Sequence, residues 1–429
     1  MKKLFFWGGA LLLLVLGLLW WRGTGDRETG DAPAPTTTAS ADPVEHGREL
    51  VTLADCRSCH TARGGPAFAG GREIPTPFGT FYSPNITSDT RTGLGSWNAT
   101  DFWHALHNGY SKDGTLLYPT FPYTNYTKIS RSDSDAIFAY LRTIKPVARE
   151  NHPHQLAFPY NHRLLLVGWR WLFFRPGVYE SQPGETPEWN RGAYLVQGVG
   201  HCSACHESRN ALGATRSEAG PSGGLVLNWY APSLTSPLQA GVEDWPLADI
   251  VTLLKNGRVS SNTTKAAALG PMAEVVSESL SGAPDTELQA MASYLKSLPV
   301  THSSDENSES NVQYEIPPSI LQTGKDLYGK NCADCHGKNG EGREPAAPPL
   351  AKNRALLSSA INPIRMVLFG GYSPATQGNP RPFGMPPYSL TLSDEEIAEI
   401  LIYVRSSWGN HARPIRGEEV AANRGDPLW

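Results

Sequence analysis

The sequence predicts an all-α protein, built as three small helical domains in tandem behind an apolar N-terminal segment. Three observations predict it. A pentapeptide recurs, as Cys56-Arg57-Ser58-Cys59-His60, Cys202-Ser203-Ala204-Cys205-His206 and Cys332-Ala333-Asp334-Cys335-His336. Each copy follows a short helix-patterned segment holding a glycine, and each repeat closes with an amphipathic segment. The chain has 429 residues, and that length leaves room for about two to four domains.

C-x-x-C-H is the attachment site of c-type haem. The two thiols add to the porphyrin vinyl groups, and the adjoining His binds the iron. The chain has six cysteines, and the three motifs use them all. Zinc sites and thiol–disulfide exchange also use C-x-x-C. Neither explains a His after every second Cys, nor an odd number of pairs. The expectation is therefore three covalent haems c, held by Cys56, Cys59, Cys202, Cys205, Cys332 and Cys335. His60, His206 and His336 are the expected proximal ligands. The 42 glycines and 35 prolines suit loops wrapped around a large flat cofactor. A net charge of −4 without basic clusters gives no sign of a nucleic-acid partner.

At the N-terminus, the uncharged run Leu4 to Trp21 follows Lys2 and Lys3. At about 1.5 Å per residue it approaches the shortest length that spans a bilayer. The leading Lys pair and the closing Trp20 and Trp21 fit a signal anchor over residues 1–22. A cleaved signal peptide is the alternative, with a small-x-small site far downstream at Ala39-Ser40-Ala41. Either segment exports the body and places it on the periplasmic side of the cytoplasmic membrane. Residues 23–43 read as a flexible tether and 301–313 as a second polar linker.

The domains are expected at 44–150, 188–300 and 314–412, with a connector at 151–187 and a tail at 413–429. Opening helices are expected around Gly47-Arg48-Glu49-Leu50-Val51, Gly192-Ala193-Tyr194-Leu195-Val196 and Gly324-Lys325-Asp326-Leu327-Tyr328. Closing helices are expected at Ser134 to Ile144, Pro284 to Leu298 and Ser393 to Ser407. Ser393 with Glu396 forms a capping box, and Ile397, Ile400, Leu401 and Val404 mark a buried face. In small c-type cytochromes the first and last helices cross, with a Gly permitting close approach. The connector carries the stretch His162 to Phe174, too apolar for a solvated linker and expected as a helix packed on the haem domains or as a groove for a quinone or a partner.

A low-spin cytochrome needs a second axial ligand, usually a Met from the loop before the last helix. Met385 in Phe383-Gly384-Met385-Pro386-Pro387 and Met272 in Gly270-Pro271-Met272 stand in that place. The first repeat has Phe121 there, and no Met lies between Met1 and Met272. Its iron therefore takes His104 or His107, three apart on an expected helix Thr100 to Asn108, or no protein ligand.

From about Glu45 to Asn410 the chain resembles the triheme cytochrome c subunit of bacterial membrane-bound alcohol, aldehyde, gluconate and sugar dehydrogenases. The resemblance is carried by Thr76-Pro77-Phe78-Gly79-Thr80, Ser83-Pro84-Asn85-Ile86-Thr87, Tyr123-Thr124-Asn125-Tyr126-Thr127-Lys128 and Asn190 to Val196. His201 to His206, Gly270 to Val276 and Gly378 to Pro387 extend it. It implies three class I cytochrome c domains, distal ligation by Met272 and Met385, and transfer of electrons from a catalytic partner to ubiquinone. Phe121 departs from that pattern. Similar subunits serve molybdenum hydroxylases, so the partner is of flavin, quinone-cofactor or molybdenum type.

The leading function is thus electron transfer, with the catalytic site on another subunit. No Gly-rich dinucleotide fingerprint, P-loop or catalytic triad is present. The rival from another class is a haem enzyme or gas sensor using an open position on the first haem. A cytochrome subunit of a terminal oxidase is a third reading, disfavoured because no copper or haem-copper ligands are visible.

Overall fold

The computed structural model describes residues 42–216, 221–261, 265–301, 314–344 and 346–425, with 17, 34 and 35 as isolated positions. The expected anchor, apart from Gly17, and most of both polar linkers lie outside the described residues. Among those described, no helix is long and apolar enough to cross a membrane. The chain forms two compact units. One runs to Ala204 and includes Asn210–Ala214; the other holds Cys205–Arg209 and Thr215 onward. Three sequence repeats are therefore distributed over two units, and the division falls inside the second motif.

In the first unit, helix α1 (Pro43–Leu53) starts at Asp42, whose side chain accepts from Val44 N at 2.9 Å. The Asp cap and Pro43 at the first helical position satisfy or remove orphan donors. Helix α2 (Cys56–His60) is the first motif itself. Strands β1 (Glu73–Thr76) and β2 (Gly79–Tyr82) form a hairpin with Glu73 opposite Tyr82, and β3 (Gln155–Leu156) extends it through Gly79 opposite Leu156. Helix α3 (Ala99–Trp103) continues as a wider π-type turn, His104–Asn108, and α4 (Tyr123–Tyr126) follows.

Helix α5 (Arg131–Leu141) closes the first repeat, capped by Ser130 accepting from Asp133 N at 3.1 Å. It packs on α1, as the sequence predicts. A Cβ on Gly47 would overlap the Ala136 carbonyl oxygen. Leu50, Val51, Ile137 and Leu141 fill the contact, each at most 3% exposed. The connector contains α6 (Leu165–Phe173), which buries Leu166, Val167 and Arg170 but leaves Leu165 and Leu172 about half exposed. It packs by one face only.

Helix α7 (Pro187–Tyr194) opens the second repeat and runs into a π-type turn, Leu195–Val199. Its Tyr194 hydroxyl donates to Asp133 Oδ2 at 2.6 Å and accepts from Ser130 N at 3.2 Å. His46 Nε2 meets the other Asp133 oxygen at 2.8 Å. The second repeat's opening helix is thereby pinned to both crossing helices of the first.

In the second unit, β4 (Gly224–Val226) and β5 (Trp229–Ala231) pair antiparallel around Leu227 and Asn228, both in the left-handed region. Such a pair of residues fits a two-residue hairpin turn. Helix α8 (Leu247–Asn256) and the hairpin β6 (Arg258–Ser260)–β7 (Lys265–Ala267) come next. Then follow α9 (Pro271–Glu278) and the closing helix α10 (Asp285–Ser297), which packs on α8.

The third repeat opens with α11 (Pro318–Asn331) and continues through α12 (Ile361–Phe369) and the paired β8 (Gly371–Tyr372) and β9 (Gly384–Met385). It closes with α13 (Asp394–Ser406), whose capping box between Ser393 and Glu396 is present as expected. The core joins Ile364, Leu368, Ile397 and Leu401, and reaches past the expected domain end to Ile415 and to Val420 on α14 (Gly417–Ala422). The described fold is mainly helical. Its departure from an all-α reading is the set of short hairpins, which are too brief to show a period of two.

Helix α11 carries a matched pair of glycines. A Cβ on Gly324 would overlap the Glu399 carbonyl oxygen of α13, whereas Gly329 has open space. Helix propensity favours Ala over Gly by about 1 kcal/mol, but forcing a packed backbone apart costs about 1–3 kcal/mol. Gly324→Ala should therefore lower the denaturant midpoint, while Gly329→Ala should leave it unchanged or raise it. Urea unfolding followed by circular dichroism measures both.

Candidate haem-binding sites

A proximal His can bind iron through Nε2 only if its ring is held and its proton sits on Nδ1. The structure meets this condition three times. His60 Nδ1 lies 2.8 Å from Pro84 O, His206 Nδ1 2.7 Å from Pro232 O, and His336 Nδ1 3.0 Å from Pro348 O. A carbonyl can only accept, so each Nδ1 is the donor and each Nε2 keeps its lone pair. Burial lowers the pKa of all three imidazoles, against the opposing effect of the proline carbonyl. The neutral ring is the form that binds metal. The residues present fit a proximal haem ligand at each motif.

The backbone repeats the arrangement. The carbonyls of His60, His206 and His336 accept from Gly70, Gly223 and Gly342, each at 2.8 Å. All three glycines have positive φ. A Cβ on Gly70 would overlap Pro84, and one on Gly342 would press on Pro348 at 2.8 Å. The glycine thus lets the chain turn tightly between the motif and its proline acceptor. Proline supplies a rigid φ at that acceptor.

Buried amides lock these loops. Asn85, beside Pro84, donates to Val147 O at 2.7 Å and accepts from Thr87 N at 2.9 Å. Asn410 donates to Leu350 O and Val404 O and accepts from Lys352 N at 2.7 Å, which ties the segment after Pro348 to α13. Sequence reasoning singled out none of these prolines, glycines or amides as site residues. A signal was available: Pro84-Asn85-Ile86, Pro232-Ser233-Leu234 and Pro348-Pro349-Leu350 each place an aliphatic residue two positions after the acceptor.

The six cysteines range from half-buried to exposed, with Cys59 and Cys335 the exposed pair. Burial pushes the Cys56 thiol up to about 12 and Cys332 up to about 11, so both are neutral thiols in the chain as it stands. Cys202 belongs to the first unit, and Cys205 and His206 to the second.

On the distal side, Met385 lies in β9 opposite Gly371 and packs half-buried against the third repeat's core. Tyr388 donates to the carbonyl of Asn331 at 2.7 Å, directly before Cys332. Burial raises the Tyr388 pKa, and Cys332 and Cys335 add to the shift. The Met385 loop is thus brought to the third motif. Met272 sits in the first turn of α9 rather than in an open loop, because Pro271 starts a helix there. The ring of Trp229 lies against Gly270, two residues before Met272. Trp229 is also three residues before Pro232, so the hairpin joins the proximal support of His206 to the Met272 segment.

In the first repeat, Phe121 packs on Tyr126 at 5.4 Å between ring centroids. Tyr126 donates to Ala54 O, and burial together with Cys56 and Cys59 drives its pKa well up. Like Tyr388 in the third repeat, it donates to a backbone carbonyl just ahead of its motif. His104 and His107 lie in the π-type turn, not on a continuous α-helix. His104 Nδ1 is 3.1 Å from Asn108 Oδ1. His107 is 2% exposed and stacks on Trp103 at 4.3 Å, with Nδ1 3.4 Å from Thr127 Oγ1.

Residues 44–145 and 321–408 match the cytochrome c family. The chain is 37% identical over 405 residues to the alcohol dehydrogenase (quinone) cytochrome c subunit of Gluconacetobacter polyoxogenes, covering 89% of this chain and 84% of that one. It is 34% identical over 437 residues to the gluconate 2-dehydrogenase cytochrome c subunit of Pantoea cypripedii, covering 97% and 95%. The fructose dehydrogenase cytochrome subunit of Gluconobacter japonicus is 32% identical over 428 residues, which are 93% of this chain and 86% of that one.

Proposed function

Starting from a chain that belongs to the family of cytochrome c subunits of dehydrogenase complexes, we propose that it carries three haems c and relays electrons from a catalytic dehydrogenase subunit to membrane ubiquinone or the respiratory chain. It is an electron-transfer subunit, and the catalytic site is on another subunit. The observation that carries the reading is the threefold proximal arrangement, an imidazole with Nδ1 donated to a proline carbonyl. Haem c, when bound, supplies a one-electron ferric–ferrous couple. The chain's part is to hold the ring by two thioethers and to present a neutral imidazole of fixed orientation. Met272 and Met385 would supply a thioether sulfur as the second iron ligand of the second and third haems.

The partner is a flavin, quinone-cofactor or molybdenum dehydrogenase, and the substrate belongs to it. The apolar face of α6, with Leu165 and Leu172 exposed, is available to such a partner or to a quinone. The Leu4–Trp21 run anchors the protein on the periplasmic side of the cytoplasmic membrane. A second reading, a haem enzyme or gas sensor, is favoured at the first haem alone by Phe121, which has no atom able to bind iron.

Two experiments test this reading. The complex purified from membranes should show reduction of its c-type absorption when the partner's substrate is added. The separated chain should be reduced by dithionite but not by that substrate; substrate turnover or peroxide consumption by the separated chain would contradict electron relay. In the separated chain, Met272→Ala and Met385→Ala should each remove part of the weak red absorption of Met–ferric ligation. Wild-type protein with three Met-ligated haems would refute the assignment, since no Met lies between Met1 and Met272.

A further inference from the structure

Helix α12 of the third repeat is fastened to strand β5 of the second. Asn362 accepts from Tyr230 N at 2.9 Å and donates to Tyr230 O at 2.8 Å. Three residues on, Arg365 lies on the same helix face. It is 2% exposed, and Nε and Nη2 are buried with no hydrogen-bond partner among the described residues. Its guanidinium lies over the rings of Trp229, at 5.5 Å, and Phe369, at 5.0 Å. Another buried arginine of this repeat, Arg405, is provided for differently: it donates to the carbonyls of Leu356 and Ser359.

Arg365 keeps its proton in a protein interior, so its charge cannot be removed by neutralisation. Ring faces attract a cation but do not accept the directed N–H donors of a guanidinium. A buried charge of this kind calls for an anion. Haem c brings two carboxylates, its propionates, on the rim opposite the thioethers. Trp229, beneath Arg365, belongs to the segment that links Pro232, the acceptor of His206, with Gly270-Pro271-Met272. A haem held by His206 and Met272 would lie beside the hairpin on which Arg365 packs.

We propose that Arg365 is the counter-ion of a propionate of the second haem, contributed by the third repeat to its neighbour's site. This rests on haem attachment at the second motif. The guanidinium fork matches a carboxylate bidentately, and Asn362 fixes the helix that carries it. A positive charge held there favours ferrous over ferric iron and raises the potential of that haem. It also makes the second haem's properties depend on the packing of the third repeat.

The test uses the full matured chain, with wild type first shown to hold three haems so that loss of attachment is separated from loss of the ion pair. Arg365→Gln should move one redox wave to lower potential, the wave that also responds to Met272→Ala, and Arg365→Lys should move it less. An unshifted set of waves, or a shift confined to the wave that responds to Met385→Ala, would overturn the assignment. Should Arg365→Gln fail to mature, redox-difference infrared spectra of Arg365→Lys decide. Displaced propionate carboxylate bands are expected, and bands identical to wild type would count against the proposal.

Discussion

The hydrogen bond from the imidazole Nδ1 of each motif histidine to a proline carbonyl is the constraint to which the rest of each repeat is fitted. Its net contribution to stability is modest, about 0.5–1.5 kcal/mol for an ordinary hydrogen bond. Its effect on chemistry is larger, because it selects the tautomer and fixes the ring that presents Nε2. The positive-φ glycines turn the chain between motif and acceptor, and the buried Asn85 and Asn410 hold the acceptor loops in place. The crossing of α1 with α5, and of α11 with α13, gives those loops a rigid base.

The repeats are not independent beads. In the first unit, Tyr194 from the second repeat shares Asp133 with His46, so one buried carboxylate joins three helices. In the second unit, Asn362 pairs with both backbone groups of Tyr230, and the helix from the third repeat covers a strand of the second. Directed side-chain hydrogen bonds specify these joints, where apolar contact alone would allow sliding.

Much of this was legible in the sequence. The closing helices fell within a few residues of Ser134–Ile144, Pro284–Leu298 and Ser393–Ser407, because their apolar positions recur every three or four residues. The capping box at Ser393 marked a boundary by its own chemistry. The three C-x-x-C-H motifs can be read from spacing alone, because each sets two thiols beside one imidazole within five residues. The hairpins were not, since strands such as Gly224–Val226 and Trp229–Ala231 are too short for alternation to register. Nor was the role of Pro84, Pro232 and Pro348, because their distances from the motif differ and the matching happens in space. The burial of Arg365 is similarly invisible, as it depends on a contact between repeats.

The proposal of three covalent haems is tested most directly by intact-mass measurement of the matured chain under denaturing conditions. The expected result is the polypeptide mass plus three haems, all resistant to acidic acetone. A matured chain carrying two or fewer, or haem that acidic acetone extracts, would contradict it.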